Sequence, residues 1–141
     1  MPRRPPARVR AQQRRHPRPT APWRRLPRLP HASSTLHAAV QLLELHHAWL
    51  GPGDVARSFN TWRRIANRPT PSPLGYGFVG ECGIWGCCPP SREALEMAMR
   101  DLPTRPAREL RRLIAPLDER FRNRTFPDPT APPGPWWTRR C

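Results

Sequence analysis

The chain has 141 residues, a formal net charge of +15 and 22 prolines. This length is typical of one domain, and a proline share about three times the usual value excludes long regular elements over much of the sequence. There is no run of about 18 apolar residues and no apolar segment after the cationic N-terminus, so neither a transmembrane helix nor a secretory signal is predicted. A cytoplasmic location is therefore the expectation.

Residues 1–32 hold most of the positive charge, with ten arginines and no carboxylate. From residue 33 onward, fifteen arginines oppose ten carboxylates. Many prolines and few large apolar side chains predict that residues 1–32 form a disordered basic tail. Because clustered arginines attract phosphates, we expect this tail to contact nucleic acid, with an anionic lipid surface, a merely solvated tail or an untranslated extension as the alternatives. The candidate contact residues are Arg3, Arg4, Arg8, Arg10, Arg14, Arg15, Arg18, Arg24, Arg25 and Arg28.

Residues 33–126 are predicted to form a small, mostly α domain. Apolar side chains recur there at the three- and four-residue spacing of a helix, and prolines or glycines interrupt the pattern between segments. The expected helices lie near residues 34–50, 54–66, 91–102 and 105–122.

Residues that can cap helices mark several of the expected boundaries. Ser33 or Ser34 can cap the first helix, Asp54 the second and Thr104 the fourth, because their side-chain oxygens can accept a hydrogen bond from the first turn. Pro116 lies within the fourth apolar pattern and predicts a kink or a break there.

The segments outside these helices differ in composition. Residues 69–90 are rich in glycine, proline and cysteine, which predicts an internal loop. Residues 127–141 are expected to form an extended, proline-rich tail. In that tail, Trp136 and Trp137 either fold back on the core or contact a membrane interface or nucleic-acid bases.

Three cysteines lie close together, and two adjacent histidines fall on the first predicted helix. Structural zinc sites use four thiolate or imidazole ligands, usually with a Cys-x2-4-Cys spacing. The present spacing is wider, so zinc binding, a redox pair and ordinary partly buried thiols all remain open. The residues concerned are Cys82, Cys87, Cys88, His46 and His47.

The second predicted helix places polar side chains near one of its faces. Arginine and asparagine are chemically suited to phosphate and base-edge contacts, so this helix could act as the recognition helix of a helix-turn-helix. The same residues also make an ordinary solvated face. They are Arg57, Asn60, Arg64 and Arg68.

No arrangement of residues in the sequence indicates catalysis. The ten carboxylates are scattered, and six of them lie on arginine-rich helices, where ion pairs such as Asp118 with Arg122 would account for them. No phosphate-binding loop, nucleophile elbow or zinc-protease motif occurs. The protein is therefore not expected to be an enzyme, and no cofactor is predicted apart from the zinc considered above.

The segment 82–137 resembles small uncharacterised proteins of high-GC bacteria. The residues that carry the resemblance include Leu110-Arg111-Arg112-Leu113, Asp118-Glu119-Arg120 and Pro135-Trp136-Trp137. The resemblance implies a bacterial protein but no activity. The sequence thus favours a non-enzymatic interaction or accessory protein that contacts nucleic acid through its tail, and the alternative is a zinc- or thiol-dependent module.

Overall fold

The computed structural model of the protein describes residues 26–67 and 91–140. These residues form four α-helices and one short 3-10 helix, and they contain no β-strand. The predicted mostly α fold is confirmed. The helices are α1 (Ser34–His46), α2 (Asp54–Ala66), α3 (Ser91–Asp101) and α4 (Thr104–Arg124), and the 3-10 helix is Trp136–Thr138.

Helix α1 begins as predicted but ends four residues early. The Ser33 hydroxyl oxygen accepts a hydrogen bond from the Leu36 amide at 3.1 Å, which is the expected cap. At the other end, His47 has an extended backbone, and its Nδ1 accepts hydrogen bonds from the amides of Trp49 and Leu50, each at 3.1 Å. This side chain replaces the next helical turn, so the helix ends at His46 and not at Leu50.

Helix α2 is capped differently from the prediction. Gly53 occupies the N-cap position with a φ of 83°, a left-handed conformation that glycine adopts without steric cost. Asp54 is the first helical residue, and its carboxylate turns back to accept a hydrogen bond from the Gly51 amide. The first-turn amides of α2 are instead bonded by Glu44, which belongs to α1.

Helix α4 is one continuous helix of 21 residues, so the break predicted at Pro116 does not occur. Pro116 and Arg112 are both exposed, so the hydrogen bond that the proline cannot make is lost on the solvent side of α4 and not in the core. Thr104 is the first helical residue and makes no cap, because Pro103 holds the N-cap position.

One hydrophobic core joins the four helices and extends beyond them at both edges. Leu29, placed by the sequence in the basic tail, is only 3% exposed, and Trp137, placed in the extended C-terminal tail, is 6% exposed. The fold-back alternative for the tryptophan pair is thus observed. The larger buried side chains are Leu29, Leu36, Leu50, Val55, Phe59, Trp62, Leu95, Met99, Leu102, Leu110, Ile114, Leu117, Phe121 and Trp137.

Arg140 fastens the C-terminal segment to the end of α4. Its guanidinium donates hydrogen bonds to the Arg122 carbonyl at 2.8 Å, the Thr125 carbonyl at 2.6 Å and the Thr125 hydroxyl at 2.9 Å. An antiparallel bridge between Pro127 and Arg140 runs alongside. Because the last carbonyls of a helix lack intrahelical partners, these bonds cap α4 while they hold the segment in place.

Candidate functional site

The basic tail joins the domain at a fixed point beside α1 and α2. Leu26 and Pro27 line a small crevice over the glycine of the α2 cap, and a side chain on Gly53 would approach both within 3.3 Å. Of the ten predicted tail contacts, Arg28 is described and exposed, next to the buried Leu29. The other nine lie outside the described residues, and so does the predicted disorder of residues 1–25.

The residues predicted to form a recognition helix are only partly brought together. Arg57 lies in the first turn of α2, where it donates hydrogen bonds to the Pro52 carbonyl and the Asp54 carboxylate. Asn60 and Arg64 lie further along and line an open depression of about 260 Å³. Arg68 is outside the described residues. The depression is lined by Asn60, Thr61, Arg63, Arg64 and Asn67.

Helix α4 supplies two further arginines to the end of α2 beside this depression. Arg120 donates a hydrogen bond to the Asn67 side-chain oxygen, and Arg124 donates one to the Ala66 carbonyl at 3.1 Å. Four guanidinium groups therefore surround the end of one helix, and the lining of the depression includes no carboxylate. The arrangement can attract an anion, but it offers no acid–base pair for catalysis.

The predicted ion pair between Asp118 and Arg122 is wrong. Asp118 is 9% exposed, and its two oxygens accept a bidentate pair of hydrogen bonds from Arg92, at 3.0 and 2.9 Å. The Trp62 indole donates to the same carboxylate at 2.9 Å. A buried carboxylate needs this many donors to offset its lost hydration, whereas the helix neighbour four residues away offers only a solvent-exposed partner.

Arg122, which does not pair with Asp118, and Arg92, which does, each stack on one of the two C-terminal tryptophans. The guanidinium carbon of Arg122 lies 3.9 Å from the Trp136 ring centroid, and that of Arg92 lies 4.4 Å from the Trp137 centroid. Cation–π contacts of this kind favour arginine over lysine, because the planar guanidinium matches the ring face. The C-terminal aromatic pair therefore has a structural role in the domain.

The two histidines proposed as zinc ligands have different environments. His46 is exposed at the end of α1. His47 uses Nδ1 as an acceptor for two backbone amides, so Nε2 carries the proton and donates to Asp101 at 3.0 Å. Both nitrogens of His47 are thus engaged within the domain.

The cysteines proposed for the metal or redox site lie outside the described residues. Within residues 26–67 and 91–140, no three side chains of the ligating types come close enough together to hold a metal ion. The zinc or thiol site on Cys82, Cys87 and Cys88 stays a prediction from sequence, and His47 could join it only by giving up the turn that ends α1.

Glu44 is a buried carboxylate that the sequence interpretation missed. Its oxygens accept hydrogen bonds from the Gly53 amide at 2.7 Å and the Val55 amide at 2.9 Å, and the residue is 6% exposed. Burial raises its pKa above the ordinary 4.5, although the two backbone hydrogen bonds act in the opposite direction. Its position on the inward stripe of α1, four residues after Val40, was the available signal.

A second missed feature is the outer face of α1. Leu42, Leu45 and Trp49 are 61%, 65% and 72% exposed, although each is large and apolar. None of the three belongs to the inward-facing stripe that predicted the helix. The sequence signal for this surface is therefore the set of large apolar residues on α1 and just after it that do not belong to the inward stripe.

No protein-family model, curated protein or solved structure matches the chain. The resemblance to proteins of high-GC bacteria therefore stays a prediction. In residues 26–67 and 91–140, none of the helices combines the length and apolar character that a membrane crossing requires.

Proposed function

We propose that the protein is a non-enzymatic interaction protein that contacts nucleic acid through the arginines of its N-terminal tail. The observation that carries the proposal is the separation of charge, with ten arginines and no carboxylate in residues 1–32. Nucleic acid presents a dense row of phosphates, and neutralising them releases condensed counterions, so an unopposed block of arginines binds it without needing a shaped pocket.

The contacts within the domain support the tail as the main binding element. Many arginines of α2, α3, α4 and the C-terminal segment are bonded to carboxylates or backbone carbonyls of the domain itself. These contacts serve its internal structure, and the nearby carboxylates reduce the local positive potential. The arginines that donate such bonds are Arg57, Arg92, Arg100, Arg111, Arg124 and Arg140.

The depression at the end of α2 provides a secondary contact in this proposal. Arg63 and Arg64 line it together with the polar side chains of Asn60 and Asn67. These side chains can donate hydrogen bonds to phosphate oxygens, which fixes the position of a bound strand without reading its sequence. The expected binding is therefore weakly sequence-dependent and strongly salt-dependent.

The decisive experiment changes the tail charge in the full chain. The nine arginines of residues 1–25 are replaced together by glutamine, and the matched control replaces the same nine by lysine. Binding to single-stranded RNA and duplex DNA is then measured across a salt series. Each arginine that neutralises a phosphate of duplex DNA contributes about 0.9 to the slope of log affinity against log salt, so the glutamine variant should lose most of the slope and the lysine variant should keep it.

A shortened chain gives a second readout and must begin at Leu26. A chain that begins at Ser33 would also remove Leu29 from the core and would confuse lost binding with lost folding. Equal affinity of the full chain and the 26–141 chain at low salt would contradict the tail proposal. If the 26–141 chain still binds nucleic acid and Arg64→Ala weakens that binding, the residual binding belongs to the depression at the end of α2.

A further inference from the structure

Helix α1 carries two apolar stripes, and only one of them faces the core. The inward stripe contains Leu36 and Val40, which are buried. The outward stripe contains Ala38, Leu42 and Leu45, all exposed, and it is continued by Trp49 in the turn after the helix. The three helical residues follow one another at intervals of four and three, which is the spacing of a coiled-coil seam, and Trp49 lies beyond the helix end at His46.

We propose that this outward stripe is the contact of a homodimer, in which α1 packs antiparallel against α1 of a second copy. In an antiparallel pair of helices, the numbers of two residues that face each other always add up to the same total. A register that places Leu42 opposite Leu45 of the second copy also brings the small Ala38 toward the end of the second α1, beyond which the large Trp49 lies. The stripe is therefore complementary to itself in size, as a two-fold symmetric contact requires.

The absence of charge on this face distinguishes a second copy from other occupants. Side chains near the two-fold axis of such a contact lie close to their own equivalents, so an ionised residue there would meet a like charge. The exposed positions of α1 contain no arginine, aspartate or glutamate, although a quarter of all residues in the chain are charged. They are Ser34, Thr35, Ala38, Gln41, Leu42, Leu45 and His46.

Two other occupants fit the face less well. A helix that lies on an anionic lipid surface carries lysine or arginine along its polar flanks, and α1 has neither. An acidic protein partner would likewise be met by cations around the apolar residues. The uncharged face thus favours a partner that is equally uncharged at the contact, which a second copy provides.

The size of the face sets the strength expected of the dimer. A helix of 13 residues is about 20 Å long. A pair of such helices buries less than the roughly 800 Å² per partner of a stable interface. We therefore expect a reversible dimer whose population rises with concentration. If the proposed nucleic-acid function holds, each dimer presents two basic tails to one strand, and this consequence alone rests on that function.

The test measures the oligomeric state of the full chain without nucleic acid. Sedimentation equilibrium is run with a reducing agent, which prevents cysteine cross-links, and at about 0.5 M salt, which screens repulsion between the tails. The wild type should form a concentration-dependent dimer. Leu42→Glu and Leu45→Arg should each weaken it by about tenfold or more, because each buries a charge in the seam.

A mixture of the two variants tests the antiparallel register directly. Only if residue 42 meets residue 45 of the second copy will the introduced carboxylate face the introduced guanidinium, so a heterodimer should form more tightly than either variant alone. Phe126→Glu is the matched control, since Phe126 is 77% exposed outside α1, and it should dimerise like the wild type. Circular dichroism should show unchanged helix content in all variants.

Three results would overturn the proposal. The first is a wild type that stays monomeric up to about 500 µM, a concentration that would reveal even a weak dimer. The second is a Leu42→Glu variant that dimerises like the wild type, and the third is a mixture with no gain over the single variants. If a monomeric wild type instead bound phosphatidylglycerol vesicles and Leu42→Glu did not, the face would belong to a lipid surface.

Discussion

Helix α1 is tied to α3 and α4 by exposed polar contacts near its two ends, whereas α3 and α4 are tied to each other by a buried ion pair. At the N-terminal end of α1, Ser33 donates hydrogen bonds from its amide and its hydroxyl to Glu109, both at 2.7 Å and both exposed to solvent. At the other end, His47 donates to the exposed Asp101. In the centre, Arg92 and Asp118 bond each other away from water.

The difference in solvent access predicts a difference in energetic weight. Exposed pairs are screened and contribute little, while removal of one member of a buried pair strands the other without solvation. The Arg92–Asp118 pair and the rings of Trp62, Phe121 and Trp137 around it form what we call the aromatic centre. This centre should therefore determine whether the domain folds. Helix α1 should tolerate change, which suits an element that presents a surface to a partner.

The largest expected effect is that of Asp118→Ala. This substitution removes the buried partner of the Arg92 guanidinium and the acceptor of the Trp62 indole, so the free energy of unfolding should fall by about 3–5 kcal/mol. Urea denaturation followed by circular dichroism measures the loss.

The matched control is Glu96→Ala, which removes the other carboxylate bonded to Arg92. The Glu96 side chain is 53% exposed, so its loss should cost less than about 1 kcal/mol. If the two substitutions lowered the free energy of unfolding equally, burial would not determine how much each ion pair contributes to stability.

Glu44→Gln should have an intermediate effect, because Glu44 is buried but belongs to α1. An amide can accept at only one of its two terminal atoms, so one of the Gly53 and Val55 amides loses its partner, at a cost of about 1–3 kcal/mol near neutral pH.

The cost of Glu44→Gln should also depend on pH, with a defined sign. The folded-state pKa of Glu44 lies above the ordinary 4.5, so the folded protein binds more protons than the unfolded chain between these two values. The stability of the wild type relative to the variant should therefore rise as pH falls from neutral to 4.5. Urea denaturation of both proteins across this pH range measures this difference in stability. A wild type that loses stability relative to the variant as pH falls would contradict a raised pKa for Glu44.

Asp101 predicts the opposite trend in a separate range. Hydrogen bonds from Arg100 and then His47 lower the pKa of Asp101 below the ordinary 3.8. Its contribution to the stability of the fold is therefore present above pH 3.8 and is lost as the pH falls further. The two carboxylates can thus be distinguished in one titration.

The smallest expected effect is that of Ser33→Ala at the start of α1. The substitution removes the cap of the Leu36 amide and the hydroxyl contact with Glu109, and it should cost about 1 kcal/mol. Hydrogen exchange of the α1 amides should accelerate while that of α3 and α4 stays unchanged. Ser34→Ala is the control, because the hydroxyl of this neighbouring serine is not the cap. Equal acceleration throughout the domain would remove the contrast between the two regions.

The parts of the fold that depend on local pattern were predictable from the sequence. The apolar spacing located all four helices, and Ser33 correctly marked the start of α1. The end of α1 was missed because the His47 side chain completes a turn that no spacing rule describes. The continuity of α4 was missed because the cost of Pro116 depends on whether it lies on the solvent side of the helix, and the packing of α4 places it there.

Contacts between distant residues explain the remaining errors. A rule for neighbours on one helix paired Asp118 with Arg122, but the structure pairs it with Arg92, 26 residues away. Glu44 caps a helix other than its own, which only the packing of α1 against α2 can reveal. Of the candidate recognition residues, Asn60 and Arg64 share a surface because they are one turn apart, while Arg57 is turned to the N-terminal end of the same helix.

The placement of Leu29 and Trp137 in one core bears on how the protein folds during synthesis. These residues are buried in the same cluster although the four helices of the described residues lie between them in the sequence. A nascent chain can form α1 and α2 on the ribosome, but it cannot seal the aromatic centre until Trp137 has left the exit tunnel. The domain should therefore become protease-resistant only once Trp137 has left the tunnel, with the segment around Trp137 as the last part to dock.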